Sequence, residues 1–180
     1  MDVEYKIRQV FDLYDRFGHE AYIGEEVSQL QHAQQCAQAA LKAANGQPDH
    51  AILGAFLHDI GHLVGLANKM EAMSDSQTGC TLGTKTHEKV GQDFLGGLGF
   101  PKSVTDFVRG HVEAKRYLVY RLIKRSEAEG RAKQSEFIFG PRPYCQKCLF
   151  FHIFCILYTF QTKAFWLAPL VQSPDFWEGT

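Results

Sequence analysis

The run HDIGH, His58 to His62, sets two imidazoles and a carboxylate within five residues. On a helix, His58 and His62 are four apart and share a face, and Asp59 lies one step round from His58. A neutral imidazole beside a carboxylate can reach one metal ion or a close pair. The run follows AILGAFL directly. Polar groups entering such an apolar helix need partners, and metal coordination is one way to supply them. Three more histidines, His32, His87 and His111, stand on separate segments. Taken singly, each is more often a packed, hydrogen-bonded histidine than a ligand. Together with HDIGH they put an imidazole on each of four helical segments, and the pattern predicts a metal cluster of His32, His58, Asp59, His87 and His111. Mixed imidazole and carboxylate ligation suits iron, manganese or zinc better than calcium or magnesium alone.

The elements that must position these groups read as helices. Ile7, Val10, Phe11 and Tyr14 recur at helical spacing, and Phe17-Gly18 closes that helix. A stripe of Val27, Leu30, Ala37, Leu41 and Ala44 predicts a second helix from Val27 to Ala44, stopped by Asn45-Gly46, with His32 on its flank one turn from Cys36. Pro48-Asp49 opens a third, carrying Leu53, Phe56, Leu57 and Ile60. Residues 65–86 are rich in Gly, Ser, Thr and Asp and read as a long loop, either a lid or an inert insertion. A helix from about Thr86 to Leu98 follows, with His87, Val90 and Phe94 on one face. Pro101 starts another, with Val104, Phe107, Val108, His111, Lys115 and Leu118 aligned. No strand-length alternation and no repeat is visible. The expected fold is all-α, a helical bundle over residues 1–120, with a divergent segment at 121–180.

Composition narrows the function classes. Of 180 residues, 45% are hydrophobic and 22% charged, which suits a single globular core. A net charge of -1 offers no basic surface for nucleic acid. The first residues have neither a signal peptide's apolar core nor an Arg-rich transit pattern. Five cysteines, an odd number, argue against a disulfide framework and for a reducing, cytoplasmic setting. The purest apolar run, Cys148 to Phe160, is thirteen residues, short of the roughly 20 that span a bilayer. Cys145 and Cys148 form a CxxC, with His152 and Cys155 close by. Without a fourth ligand in workable geometry or a thioredoxin-like context, they read as unpaired cysteines in an apolar tail.

The order His32, His58-Asp59, His87, His111 resembles the HD-domain superfamily of metal-dependent phosphohydrolases. Within it, YIGEEVSQLQHA, FLHDIGHL, HEKVGQDFLGGLGF and HVEAKRYL are similar to its mixed-valent diiron oxygenases. The closest branch splits the carbon–phosphorus bond of 2-amino-1-hydroxyethylphosphonate with O2, giving glycine and phosphate. The resemblance covers residues 1 to about 120. It implies two iron ions, Fe(II)/Fe(III), with His32 and His111 as outer ligands, His58 and His87 as further ligands, and Asp59 bridging. It also implies that His62 hydrogen-bonds substrate and that Tyr22 occupies an iron position until substrate displaces it. Glu25 would sense the substrate's amino group, and Lys115 would contact the phosphonate. From the residues alone, Lys115 either snorkels to the surface or meets an anion, Tyr22 and Glu25 could form an ordinary surface turn, and Glu26 could take Glu25's role.

After Leu118 the resemblance ends. The family's further aspartate ligand has no convincing counterpart, since the only late aspartate, Asp175, lies in SPDFWEGT. Three readings therefore stand: an oxygenase of a small hydroxylated organophosphonate bearing a primary or a trimethylated amine, an HD-type metal-dependent phosphohydrolase, and an inactive variant lacking the last metal ligand. None involves nucleic acid or a membrane.

Overall fold

In the computed structural model, helix α1 (Val3–Phe17) buries Val10, Leu13 and Tyr14 and ends where Gly18 N–H bonds the Tyr14 carbonyl. The structure describes residues 2–22, 27–43, 47–74 and 81–128. The other described elements are α2 (Gln29–Lys42), α3 (Asp49–Leu57), α4 (Ile60–Ala67), strands β1 (Ala72–Ser74) and β2 (Thr81–Thr84), α5 (His87–Gly97) and α6 (Lys102–Ala128). The all-α expectation holds, with one antiparallel two-stranded hairpin added. Among the described residues, no single helix is long and apolar enough to cross a membrane. The apolar run at 148–160, the CxxC and Asp175 lie outside the described residues.

The structure differs from the sequence reading at four places. On α1, Ile7 and Phe11 are exposed. They line an apolar surface recess of about 420 Å³ with Leu53, Phe56 and Phe100. On α2 the inward face is Gln29, His32, Ala33, Cys36, Ala39 and Ala40, whereas Leu41 is 61% exposed. His32 therefore sits at the centre of the buried face. The third predicted helix is two, bent by 41° at His58 and Asp59. Asp59 leaves helical geometry there, with φ -103° and ψ 11°. Residues 65–86 begin as the end of α4 and continue into the hairpin. On α2 and at the α3–α4 bend the cause is the buried polar cluster, whose residues hold inward positions that apolar periodicity assigns elsewhere.

The apolar core surrounds that cluster. Leu57, Ile60, Leu63, Leu95, Val104 and Val108 are fully buried between α3, α4, α5 and α6. A capping box starts α2: Ser28 Oγ accepts from Gln31 N–H, and Gln31 Oε1 accepts from Ser28 N–H. That register places His32 one turn inside the helix, facing the core.

Candidate metal centre

Each residue of the cluster is aimed by something local. His58 ends α3, and its Nδ1 lies 2.8 Å from the Ala55 carbonyl. His111 on α6 repeats the device, with Nδ1 2.6 Å from the Val108 carbonyl. A carbonyl only accepts, so both rings carry their proton on Nδ1 and, when neutral, turn the Nε2 lone pair inward. His32 comes from α2 and His87 from the first residue of α5. Asp59 sits at the bend between α3 and α4, the point from which one carboxylate reaches both sides.

The two carboxylate oxygens divide the histidines between them. Oδ2 lies 2.9 Å from His58 Nε2 and 3.6 Å from His32 Nε2, and those two nitrogens are 3.2 Å apart. Oδ1 lies 3.1 Å from His111 Nε2 and 3.3 Å from His87 Nε2, themselves 3.1 Å apart. The structure thus brings together all five residues expected to ligate metal. Tyr22 joins them: its hydroxyl donates to Asp59 Oδ2 at 2.8 Å, and its ring stacks on His32 at 3.8 Å between centroids. A short bridge holds Tyr22 in place, because its N–H bonds the Val27 carbonyl beside the start of α2. Glu25 and Glu26 lie outside the described residues.

Electrostatics fit a bound cation. Burial alone would raise the Asp59 carboxyl, but the His58 and His111 imidazoles against it and the positive charge of Lys115 outweigh that. The group is held well below the usual carboxylate range. Burial lowers His111 to about 4 despite the pull of Asp59, so near neutral pH its Nε2 is a bare acceptor. Asp59 Oδ1 is buried and accepts no well-formed hydrogen bond among the described residues. The His111 Nε2 lone pair, facing a carboxylate oxygen across 3.1 Å, repels it unless a cation lies between them. First-row ions bind imidazole nitrogen at about 2.0–2.1 Å, which sets neighbouring donors roughly this far apart. The donors on each side of Asp59 are of metal-ligating type and spacing.

His62 does not belong to the donor ring. Its Nδ1 accepts from the Thr84 N–H at 3.0 Å, so the neutral ring carries its proton on Nε2 and can donate. Burial lowers it to about 3, which keeps it neutral. It stacks on His87 at 3.9 Å, and Thr84 Oγ1 also bonds its carbonyl. Thr84 was missed in the sequence, where it sits in a segment read as loop. Gly61, inside HDIGH, has a role that the sequence leaves unstated. A Cβ there would lie 1.9 Å from the His87 carbonyl oxygen, so only glycine lets α4 and α5 approach closely enough to pair Asp59 with His87. Lys115 is half-buried one turn after His111, and its charge is felt at Asp59, His62 and His111.

Residues 29–136 match the HD domain family. A 1-hydroxy-2-(trimethylamino)ethyl phosphonate dioxygenase (glycine-betaine-forming) of Leisingera caerulea is 42% identical over 106 residues, 59% of this chain and 49% of that protein. A hydroxymethylphosphonate dioxygenase of Gimesia maris is 36% identical over 113 residues, 63% of this chain and 51% of that protein. An uncharacterized protein of Acanthamoeba polyphaga mimivirus is 39% identical over 113 residues, covering 63% and 48%. The chain spans about half the length of these curated relatives.

Proposed function

The chain belongs to the HD-domain family, and we propose that it is a diiron oxygenase that cleaves the carbon–phosphorus bond of a small 1-hydroxylated phosphonate. The observation that carries this reading is the Asp59 carboxylate, whose two oxygens each meet a separate histidine pair. In this reading His32, His58 and Asp59 would hold one iron, and His87, His111 and Asp59 would hold the other. The relatives' printed names support the substrate class. Both carry a hydroxyl and a phosphonate on one carbon and differ in the rest of the molecule. The member proposed for this chain is 2-amino-1-hydroxyethylphosphonate, which with O2 gives glycine and phosphate.

Bound iron would supply the one-electron chemistry toward dioxygen that the side chains of this site lack. The side chains would do the rest. Lys115 brings a positive charge to the His111 side and would bind the phosphonate. His62, neutral and protonated on Nε2, would donate a hydrogen bond to substrate. Tyr22 donates to Asp59 Oδ2 and would give way as substrate enters. Glu25 would pair with the substrate's ammonium group. The apolar residues packed around the cluster would limit its access to water.

The reading is tested by measuring O2 uptake and phosphate release from 2-amino-1-hydroxyethylphosphonate, its trimethylated analogue, hydroxymethylphosphonate and a phosphate monoester. One O2 consumed per phosphate released, with a hydroxylated phosphonate only, is the expected result. Phosphate released from the ester without O2 uptake would replace the oxygenase with a phosphohydrolase. No turnover of any compound by the iron-loaded chain would favour the inactive variant.

A further inference from the structure

We infer that Cys36 supplies a sulfur donor to the His32–His58 half of the centre, so that the two metal positions differ chemically. This rests on the reading that the cluster holds metal. Cys36 lies one turn after His32 on the inward face of α2 and is 1% exposed. Its Sγ is 3.5 Å from His32 Nε2, which in turn is 3.2 Å from His58 Nε2. One donor atom from each of the three residues falls within 4.8 Å of the others. A separate observation marks the same place as a cation site. The Asp59 side chain, only 9% exposed, brings a buried carboxylate oxygen, Oδ2, to 2.9 Å from His58 Nε2 and 3.6 Å from His32 Nε2, completing a set of metal-type donors there.

The spacing suits two donors sharing one ion. With nitrogen at about 2.1 Å and sulfur at about 2.3 Å, neighbouring ligands come to lie roughly 3.1–3.6 Å apart. His32 Nε2 has one lone pair. It can accept from the Cys36 S–H or bind a metal, and an ion that takes the lone pair leaves Sγ beside it. The S–H proton then passes to solvent as the sulfur–metal bond forms, and no electrons are transferred. The His87–His111 half has imidazole and carboxylate donors alone among the described residues within ligand spacing. Sulfur favours softer ions, so the Cys36 half fills first with a thiophilic metal and the other half second.

Cobalt(II) titration of the metal-free full chain tests this, because sulfur ligation adds a near-ultraviolet charge-transfer absorption that nitrogen and oxygen ligands do not. The band is expected to saturate at one equivalent. It is expected to persist when Cys80, Cys145, Cys148 and Cys155 are all replaced by serine. In Cys36→Ser and Cys36→Ala of unchanged helicity it disappears, and the first cobalt binds on the order of tenfold more weakly or worse. A wild-type chain that binds cobalt without the band overturns the sulfur ligand and leaves the metal centre standing. Failure to bind cobalt at all overturns both. A band lost in the four-cysteine variant assigns the sulfur elsewhere and overturns the proposal. Because the wild-type and four-cysteine proteins decide the matter, a Cys36 variant that fails to fold does not prevent the test.

Discussion

The two halves of the cluster have the same imidazole pair and the same carboxylate, but their surroundings differ. Around His32 and His58 everything is closed: both rings are buried, Tyr22 covers one face, and Cys36 lies behind. Around His87 and His111 the wall is thinner. The His87 side chain is 13% exposed, and its neighbours are charged and only partly buried. Arg109 pairs with Glu88 and Glu113 there, and Lys115 follows His111 by one turn. In the proposed reading the phosphonate would lie on that side near Lys115, while Tyr22 would give way on the other. The difference is one of enclosure: the His32–His58 half is the more closed, and the His87–His111 half the nearer to Lys115.

Removing what the halves share should have the largest effect. Asp59→Asn keeps the side-chain shape but not the charge. It is expected to empty both positions, lowering bound metal more than tenfold by elemental analysis. Retention of one full equivalent would show that the halves do not depend on a common bridge.

Pushing the halves apart comes next. Gly61→Ala places a methyl group against the His87 carbonyl. It should cost about 3 kcal/mol or more in urea unfolding, with metal lost preferentially from the His87–His111 position. An unchanged midpoint would mean that α4 and α5 separate freely and that their close approach is not required.

Lys115→Met removes charge from the more open half only. The expected loss is about tenfold or more in kcat/KM, mainly through KM, with metal content unchanged. Equal loss of metal would make Lys115 a structural residue instead.

The smallest effect is on pH dependence in the metal-free chain. His62 and His111 are lowered to about 3 and about 4, while unfolded histidine titrates near 6.5. Between these values the unfolded chain binds protons that the folded chain does not. Stability should therefore be full above about pH 6.5 and fall as pH drops toward 4 and then 3. Asp59, held below its ordinary value, adds a loss that begins only near and below that value, 3.8. Urea midpoints at pH 7.5 and 5 check this, and in His111→Gln the difference should shrink.

The site was more readable in the sequence than the helix faces were. HDIGH and three spaced histidines pointed to residues that the structure gathers around one carboxylate, because ligand chemistry restricts residue type whatever the packing. Helix faces are inferred from apolar periodicity, and here that signal was displaced. The polar cluster takes the inward positions of α2, which leaves Leu41 outside, and the recess beside α1 takes Ile7 and Phe11. The bend at Asp59 carries neither proline nor glycine to announce it, so α3 and α4 read as one helix. Thr84 and Gly61 could not be assigned, since each acts through a contact between segments distant in sequence.

The central claim is that one carboxylate joins two metal positions. Iron content with electron paramagnetic resonance of the iron-loaded chain, recorded before and after adding 2-amino-1-hydroxyethylphosphonate, addresses it most directly. Two irons per chain, with a coupled mixed-valent signal that shifts on adding the phosphonate, is the predicted result. A single uncoupled iron, or none, with no response to the phosphonate, would contradict it.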